Sequence, residues 1–98
     1  MVNNNVLAQV VETALEQVRG DKRWTNAIKR GAELIQTNRC LLIRDNGTLL
    51  ILSDSGHNYT VNGSCRTEDG LCPAFKNHRP CKHRAAYRLL QLYDERAH

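Results

Sequence analysis

The run from residue 65 to residue 83 places the strongest constraint on how this chain can fold. It contains three cysteines and one histidine, separated by six, eight and one residues: Cys65, Cys72, Cys81 and His83. Three thiols and an imidazole are a recurrent tetrahedral donor set for Zn²⁺. One glycine and two prolines lie between the donors, so the backbone can turn around an ion. The sequence therefore predicts one structural zinc ion held by these four residues.

Other interpretations of the same residues stay open at this point. The cysteines could be buried free thiols, or disulfides if the protein is secreted. His78 and His57 are the substitutes if one assigned donor is wrong, and His78 would replace Cys65 if Cys65 lies too far from the others. A catalytic zinc keeps an open position for water, and no acidic residue that could serve as a base lies between Asp69 and Asp94. We therefore predict that the protein is not an enzyme.

The end of the run resembles the SWIM zinc finger, whose pattern is Cys-x-Cys, a spacer and Cys-x-His. Pro80-Cys81-Lys82-His83 and the helical segment 84–90 are similar to the end of that pattern. Residues 72–75 resemble its second cysteine with the residues that follow, and Tyr59-Thr60-Val61 resembles the strand before its first cysteine. Six residues separate Cys65 from Cys72, where the family usually has one.

The resemblance covers residues 45 to 92. It implies two strands and a helix arranged around one zinc ion. It also implies a module that binds DNA or interacts with proteins.

The whole chain predicts one α+β domain over residues 1–98, helical over 1–38, with strands and the zinc finger over 39–98. Asn3, Asn4 and Asn5 offer cap oxygens before one amphipathic pattern, and Asp21 caps a second. The patterns indicate helices that end near Gly20 and at Thr37-Asn38. Three antiparallel strands follow at 40–44, 48–53 and 57–61, joined by turns at 45–47 and 54–56. A zinc-stapled loop and a C-terminal helix complete the prediction.

Two details of the predicted helices concern packing. Gly31 lies on the apolar face of the second helix, where it allows another element to approach closely. The apolar face of the first helix is predicted to belong to the core, and the alternative is a surface for a partner. That face consists of Leu7, Val10, Val11, Leu15 and Val18.

Five positive side chains and no negative one lie between Asp69 and Asp94: Lys76, Arg79, Lys82, Arg84 and Arg88. Arg84 and Arg88 share a helix face, which suits a row of phosphates, and the net charge of +4 favours polyanionic partners. The alternative is a solvated helix face.

A second basic cluster flanks the second helix: Arg19, Lys22, Arg23, Lys29 and Arg30. The sequence indicates no aromatic cluster beside these cations that could stack on bases, and we expect Phe75 in the core.

These observations predict a zinc-binding module that binds DNA with strong salt dependence and weak sequence preference. The alternative function is a protein-interaction adaptor that uses the finger and the first helix. No apolar run approaches the roughly 20 residues that span a bilayer, and residues 1–5 lack the features of a secretory signal. We therefore predict a reducing, cytoplasmic location, with no membrane partner and no small-molecule substrate.

Overall fold

The computed structural model describes residues 3–37, 40–43, 48–52, 58–62, 64–67 and 70–97. It confirms the α+β class, with two N-terminal helices, a small antiparallel sheet and a C-terminal helix that packs on the other helices. In chain order the elements are α1 (Asn4–Gln17), α2 (Lys22–Gln36), β1 (Cys40–Ile43), β2 (Thr48–Leu52), β3 (Asn58–Val61), β4 (Cys65–Thr67), β5 (Gly70–Leu71), α3 (Pro73–Lys76) and α4 (Lys82–Ala97).

Both N-terminal helices begin at the predicted caps. The Asn3 side chain accepts hydrogen bonds from the backbone N–H groups of Asn5 and Val6, at 2.9 and 3.3 Å. The Asp21 side chain accepts from the N–H groups of Arg23 and Trp24, at 3.1 and 3.2 Å. Such side chains satisfy N–H groups that have no partner within the helix, which fixes where a helix starts.

The sheet has five strands where the sequence predicted three. The predicted strands are present as β1, β2 and β3, and each is antiparallel to the next. The segment that was predicted as a loop forms two further short strands, so the order is β1-β2-β3-β4-β5. Strands of three and two residues are too short to produce a recognisable alternation of apolar and polar side chains. The predicted turns at 45–47 and 54–56 lie outside the described residues.

One face of the sheet and one face of each long helix form the core. Leu49 pairs with Val61, and Val61 pairs with Cys65, so these three side chains lie on the same face of the sheet. All three are buried. Leu7, Val10 and Ala14 of α1 are also buried, which confirms the core interpretation of that helix face. Within the described ranges, none of the helices combines the length and the apolarity that a bilayer crossing requires.

Hydrogen bonds between polar groups join α1 and its N-cap residue to α4. The Asn3 N–H group donates to the hydroxyl oxygen of Tyr93 at 2.8 Å. The Arg96 guanidinium donates to the Gln9 side-chain oxygen at 2.9 Å and to the Thr13 hydroxyl at 3.0 Å. These bonds fix the position of α1 along α4.

Gly31 lies where α2 crosses α4 at very short range, as its position on the apolar face predicted. A Cβ atom at this residue would lie 2.7 Å from the backbone nitrogen of Ala86 and 3.0 Å from the carbonyl oxygen of Lys82. Both atoms belong to the backbone of α4, so neither can move aside without shifting the helix. The close contact therefore excludes every residue larger than glycine.

We expect Gly31→Ala to destabilise the protein even though alanine is the better helix former. Overpacking costs about 1–3 kcal/mol, against a gain of about 1 kcal/mol in helix propensity. Denaturant unfolding should show a lower free energy of unfolding. Lys29→Ala, at an exposed position of the same helix, is the control and should stay within about 0.5 kcal/mol of the wild type. An unchanged stability of Gly31→Ala would contradict the close contact.

Candidate metal centre

The hairpin of β4 and β5 brings the first two donors together. Cys65 opens β4, and Cys72 directly follows β5. Arg66 pairs with Leu71 across the hairpin, and the Cys72 N–H group donates to the Cys65 carbonyl oxygen at 2.9 Å. Cys65 begins a strand of its own, which pairs with β3 through Val61. Residues 66–67 and 70–71, which lie between the two cysteines, belong to the paired strands β4 and β5.

The other two donors lie at the start of α4, as predicted. Cys81 precedes the helix, and its carbonyl oxygen accepts a hydrogen bond from the Ala85 N–H group at 3.0 Å. His83 lies in the first turn. Because α4 packs along α2 and against β3, its first turn is held over the same face of the sheet that carries Cys65.

All four side chains are buried, and their donor atoms lie within 4.8 Å of one another. The Sγ atoms of Cys72 and Cys81 are 3.8 Å apart. The Nδ1 atom of His83 lies 3.3 Å from the Sγ of Cys81, 3.5 Å from that of Cys65 and 4.0 Å from that of Cys72. Nδ1 is therefore the nitrogen that faces the three sulfur atoms.

These separations fit one tetrahedrally coordinated ion. Zn²⁺ bonds of about 2.3 Å to sulfur and about 2.0–2.1 Å to nitrogen place donor atoms about 3.8 Å (sulfur to sulfur) and about 3.6 Å (sulfur to nitrogen) apart. A disulfide requires sulfur atoms about 2.05 Å apart, and the three cysteines are free. The donor set, its burial and its spacing all suit a metal ion, and three thiols with one imidazole suit zinc.

The thiols influence one another strongly. The hydrogen bond with the Cys65 thiol, together with His83 and the Arg84 backbone N–H group, lowers the pKa of Cys81 to about 3 against the effect of burial. The hydrogen bond with Cys81, together with burial, raises the pKa of Cys65. One of the thiols therefore loses its proton easily. Each further thiolate is disfavoured, because its negative charge is repelled by that of the first. A cation between the sulfur atoms removes this repulsion.

Tyr59 completes the centre, and the sequence analysis did not identify it as a site residue. Its ring stacks on that of His83, with centroids 3.8 Å apart and planes inclined by 19°. Burial, followed by the charges of Cys72, Cys65 and Cys81, raises the pKa of Tyr59. Tyr59 lies two residues before Val61, which pairs with Cys65, so strand alternation already placed it on the face of the donors.

Of the two alternative histidine donors, only His78 lies in the described part of the chain, and it does not join the centre. His78 is exposed, has a positive φ of 57°, and is not part of the donor cluster. His57 lies outside the described residues, as does the side chain of Cys40.

The five residues that were predicted to contact nucleic acid are all exposed, but they do not lie in one cavity. Lys82 lines a cavity of about 230 Å³ beside Cys81 and His83, which Arg23 and Arg30 of α2 also line. We call this cavity the basic cavity. Between described residues, the single salt bridge joins Arg19 to Glu16, so none of these cations is neutralised by a described acidic side chain.

Arg84 and Arg88 line a second and larger cavity, of about 380 Å³, which we call the aromatic cavity. Trp24 and Tyr87 line it as well, and the Arg84 guanidinium lies 5.1 Å from the centroid of the Phe75 ring. The sequence indicated no aromatic cluster beside these cations, whereas the structure places two aromatic side chains in the same cavity as Arg84 and Arg88. Trp24 lies about sixty positions earlier in the chain, and only the packing of α2 on α4 brings it there. Lys76 and Arg79 line neither cavity.

No family model matches the chain, and neither the curated proteins nor the solved structures include a significant match to it. The assignment to the SWIM family therefore stays a prediction from the motif. The buried cluster of three cysteines and one histidine stands on its geometry alone.

We expect the purified protein to contain one zinc ion per chain, measured by elemental analysis. Cys72→Ala should lower the zinc content well below one and reduce helix and strand content, because zinc contributes on the order of 10 kcal/mol to folding in finger peptides. Cys40→Ala is the control, since it removes the one cysteine that is not among the four assigned donors and should keep one zinc. A Cys72→Ala protein with full zinc content would contradict the assigned donor set.

We also expect Tyr59→Leu to weaken zinc binding about two- to tenfold in a chelator competition, because stacking of two rings contributes roughly 0.5–1.5 kcal/mol. Tyr59→Phe keeps the ring and should bind zinc as the wild type does. Equal zinc affinities of the leucine and phenylalanine variants would show that the stacked ring does not support His83.

Proposed function

We propose that the chain is a SWIM-like zinc-binding module in which a structural zinc ion orders a basic surface that binds the phosphate backbone of DNA. Cys65, Cys72, Cys81 and His83 would hold the ion. When bound, zinc supplies a rigid link between the β4–β5 hairpin and the start of α4. The proposal gives the metal no catalytic role, which agrees with four buried donors that leave no position for water.

The observation that carries the DNA proposal is the meeting of two basic segments at the metal centre. Arg23 and Arg30 of α2 line the same cavity as Lys82 of α4, although more than fifty residues separate them in the chain. The residues that line this cavity include no acidic side chain. Three cations that converge without neutralisation favour an anionic ligand, and the regularly spaced phosphates of DNA suit them.

The zinc ion and the basic cavity depend on each other in this proposal. Lys82 lies between two of the donors, Cys81 and His83, so we expect loss of the metal to displace it from Arg23 and Arg30. Free cysteines are also compatible with a reducing intracellular location. The adaptor alternative is weakened at the apolar face of α1, because Leu7 and Val10 are buried in the core and the rest of that face is partly buried against it.

We expect binding to duplex DNA to weaken steeply with salt and to depend little on sequence. The slope of log K against log salt is about −0.9 for each phosphate contact. Arg30→Gln/Lys82→Gln should therefore reduce the size of the slope by about two. Fluorescence anisotropy with a labelled duplex at four salt concentrations measures it.

The control is Arg19→Gln/Arg66→Gln, which removes the same charge from residues that line neither cavity. If both double variants lose the same affinity and slope, general charge rather than the basic cavity binds DNA. Absence of binding at low salt, with zinc bound, would refute the proposed function and favour the adaptor.

A further inference from the structure

The aromatic cavity has walls that suit a flat apolar group. It lies between α1, α2 and α4, with Val61 of β3 also at its surface. Its aromatic side chains are Trp24 and Tyr87, both partly buried, and Ile28 adds an aliphatic wall. Its volume of about 380 Å³ lies within the range of about 300–1,000 Å³ that is typical of small-molecule sites.

The same cavity is positively charged. Arg84 and Arg88 both line it and lie on one face of α4, one helical turn apart. Its other polar side chains are the amides of Gln17 and Gln91, and the residues that line it include no acidic group. The Arg84 guanidinium also lies 5.1 Å from the centroid of the Phe75 ring, which does not line the cavity. An occupant with an apolar ring and a negative charge therefore satisfies both the walls and the cations.

We propose that the aromatic cavity receives one unstacked base of single-stranded nucleic acid, while Arg84 and Arg88 contact the adjoining phosphates. Sites of this kind combine aromatic side chains, which contact the faces of bases, with cations that follow the backbone. A base within a duplex is stacked and paired, so its faces are inaccessible to Trp24 and Tyr87. The inference rests on the proposed function, which by itself requires phosphate contacts only.

The sharpest test compares two ligands that carry the same charge. The zinc-loaded protein is titrated with a ten-residue oligothymidylate and with an abasic oligomer of the same length. We expect the oligothymidylate to bind about 5- to 100-fold more tightly, which is the effect of stacking one base. Trp24 is the single tryptophan, so its emission should be quenched by the oligothymidylate and not by the abasic strand.

Variants then locate the bound base. Tyr87→Leu should remove most of the preference for oligothymidylate over the abasic strand and keep the affinity for the abasic strand. Arg84→Gln/Arg88→Gln should weaken the binding of both strands. Leu52→Ala is the control, because Leu52 is an exposed apolar residue of β2 that does not line the cavity. It should keep the preference.

The outcomes separate this inference from the proposed function. Equal affinities for both strands, with duplex binding that still depends on Arg30 and Lys82, would overturn the base site and leave the phosphate proposal standing. Thymidine monophosphate that competes as well as the strand would overturn it in favour of a free nucleotide. An acidic peptide with one phenylalanine that competes equally would overturn it in favour of a protein partner. If neither DNA form binds, both proposals fail.

Discussion

Three sulfur atoms and one imidazole nitrogen are buried within 4.8 Å of one another, an arrangement that a bound cation would stabilise by neutralising the thiolates. Without one, the thiols share protons unequally, as the opposite changes in the pKa values of Cys65 and Cys81 indicate. With one, a three-residue strand, a two-residue strand and the first turn of a helix would become a single unit. A chain of 98 residues with five aromatic side chains has few other ways to fix such short elements.

The sequence predicted those parts of the structure that depend on local chemistry. The caps at Asn3 and Asp21 and the apolar periodicity that follows them determine α1 and α2, because a helix start depends on residues within one turn. The donors were identified because their residue types and spacing are specific to metal binding. The hairpin of β4 and β5 was missed because its strands owe their pairing to the neighbouring β3 and to the donors, and not to their own side chains.

Contacts between distant segments account for the parts of the candidate site that could not be predicted. Tyr59 lies on a recognised strand, yet nothing in its neighbours indicates a ring that stacks on His83. Trp24 reaches the side chains of Arg84 and Arg88 only because α2 crosses α4 closely at Gly31. The sequence indicated that Gly31 permits close approach, but not which helix approaches it. Sequence patterns therefore identified the donors and the cations, while packing determined which of them act together.

The bonds between α1 and α4 join residues that are 83 to 90 positions apart, the longest separations among the side-chain hydrogen bonds described above. Ordering so long a loop is entropically costly unless the intervening chain is already compact, so we expect these bonds to form late in folding. The metal donors span only residues 65–83, so the loop that their assembly closes is much shorter. Because Ala14 and Val18 of α1 help to line the aromatic cavity, docking of α1 on α4 is needed to complete that cavity. A transient detachment of α1 would therefore open the cavity while the metal centre stays intact.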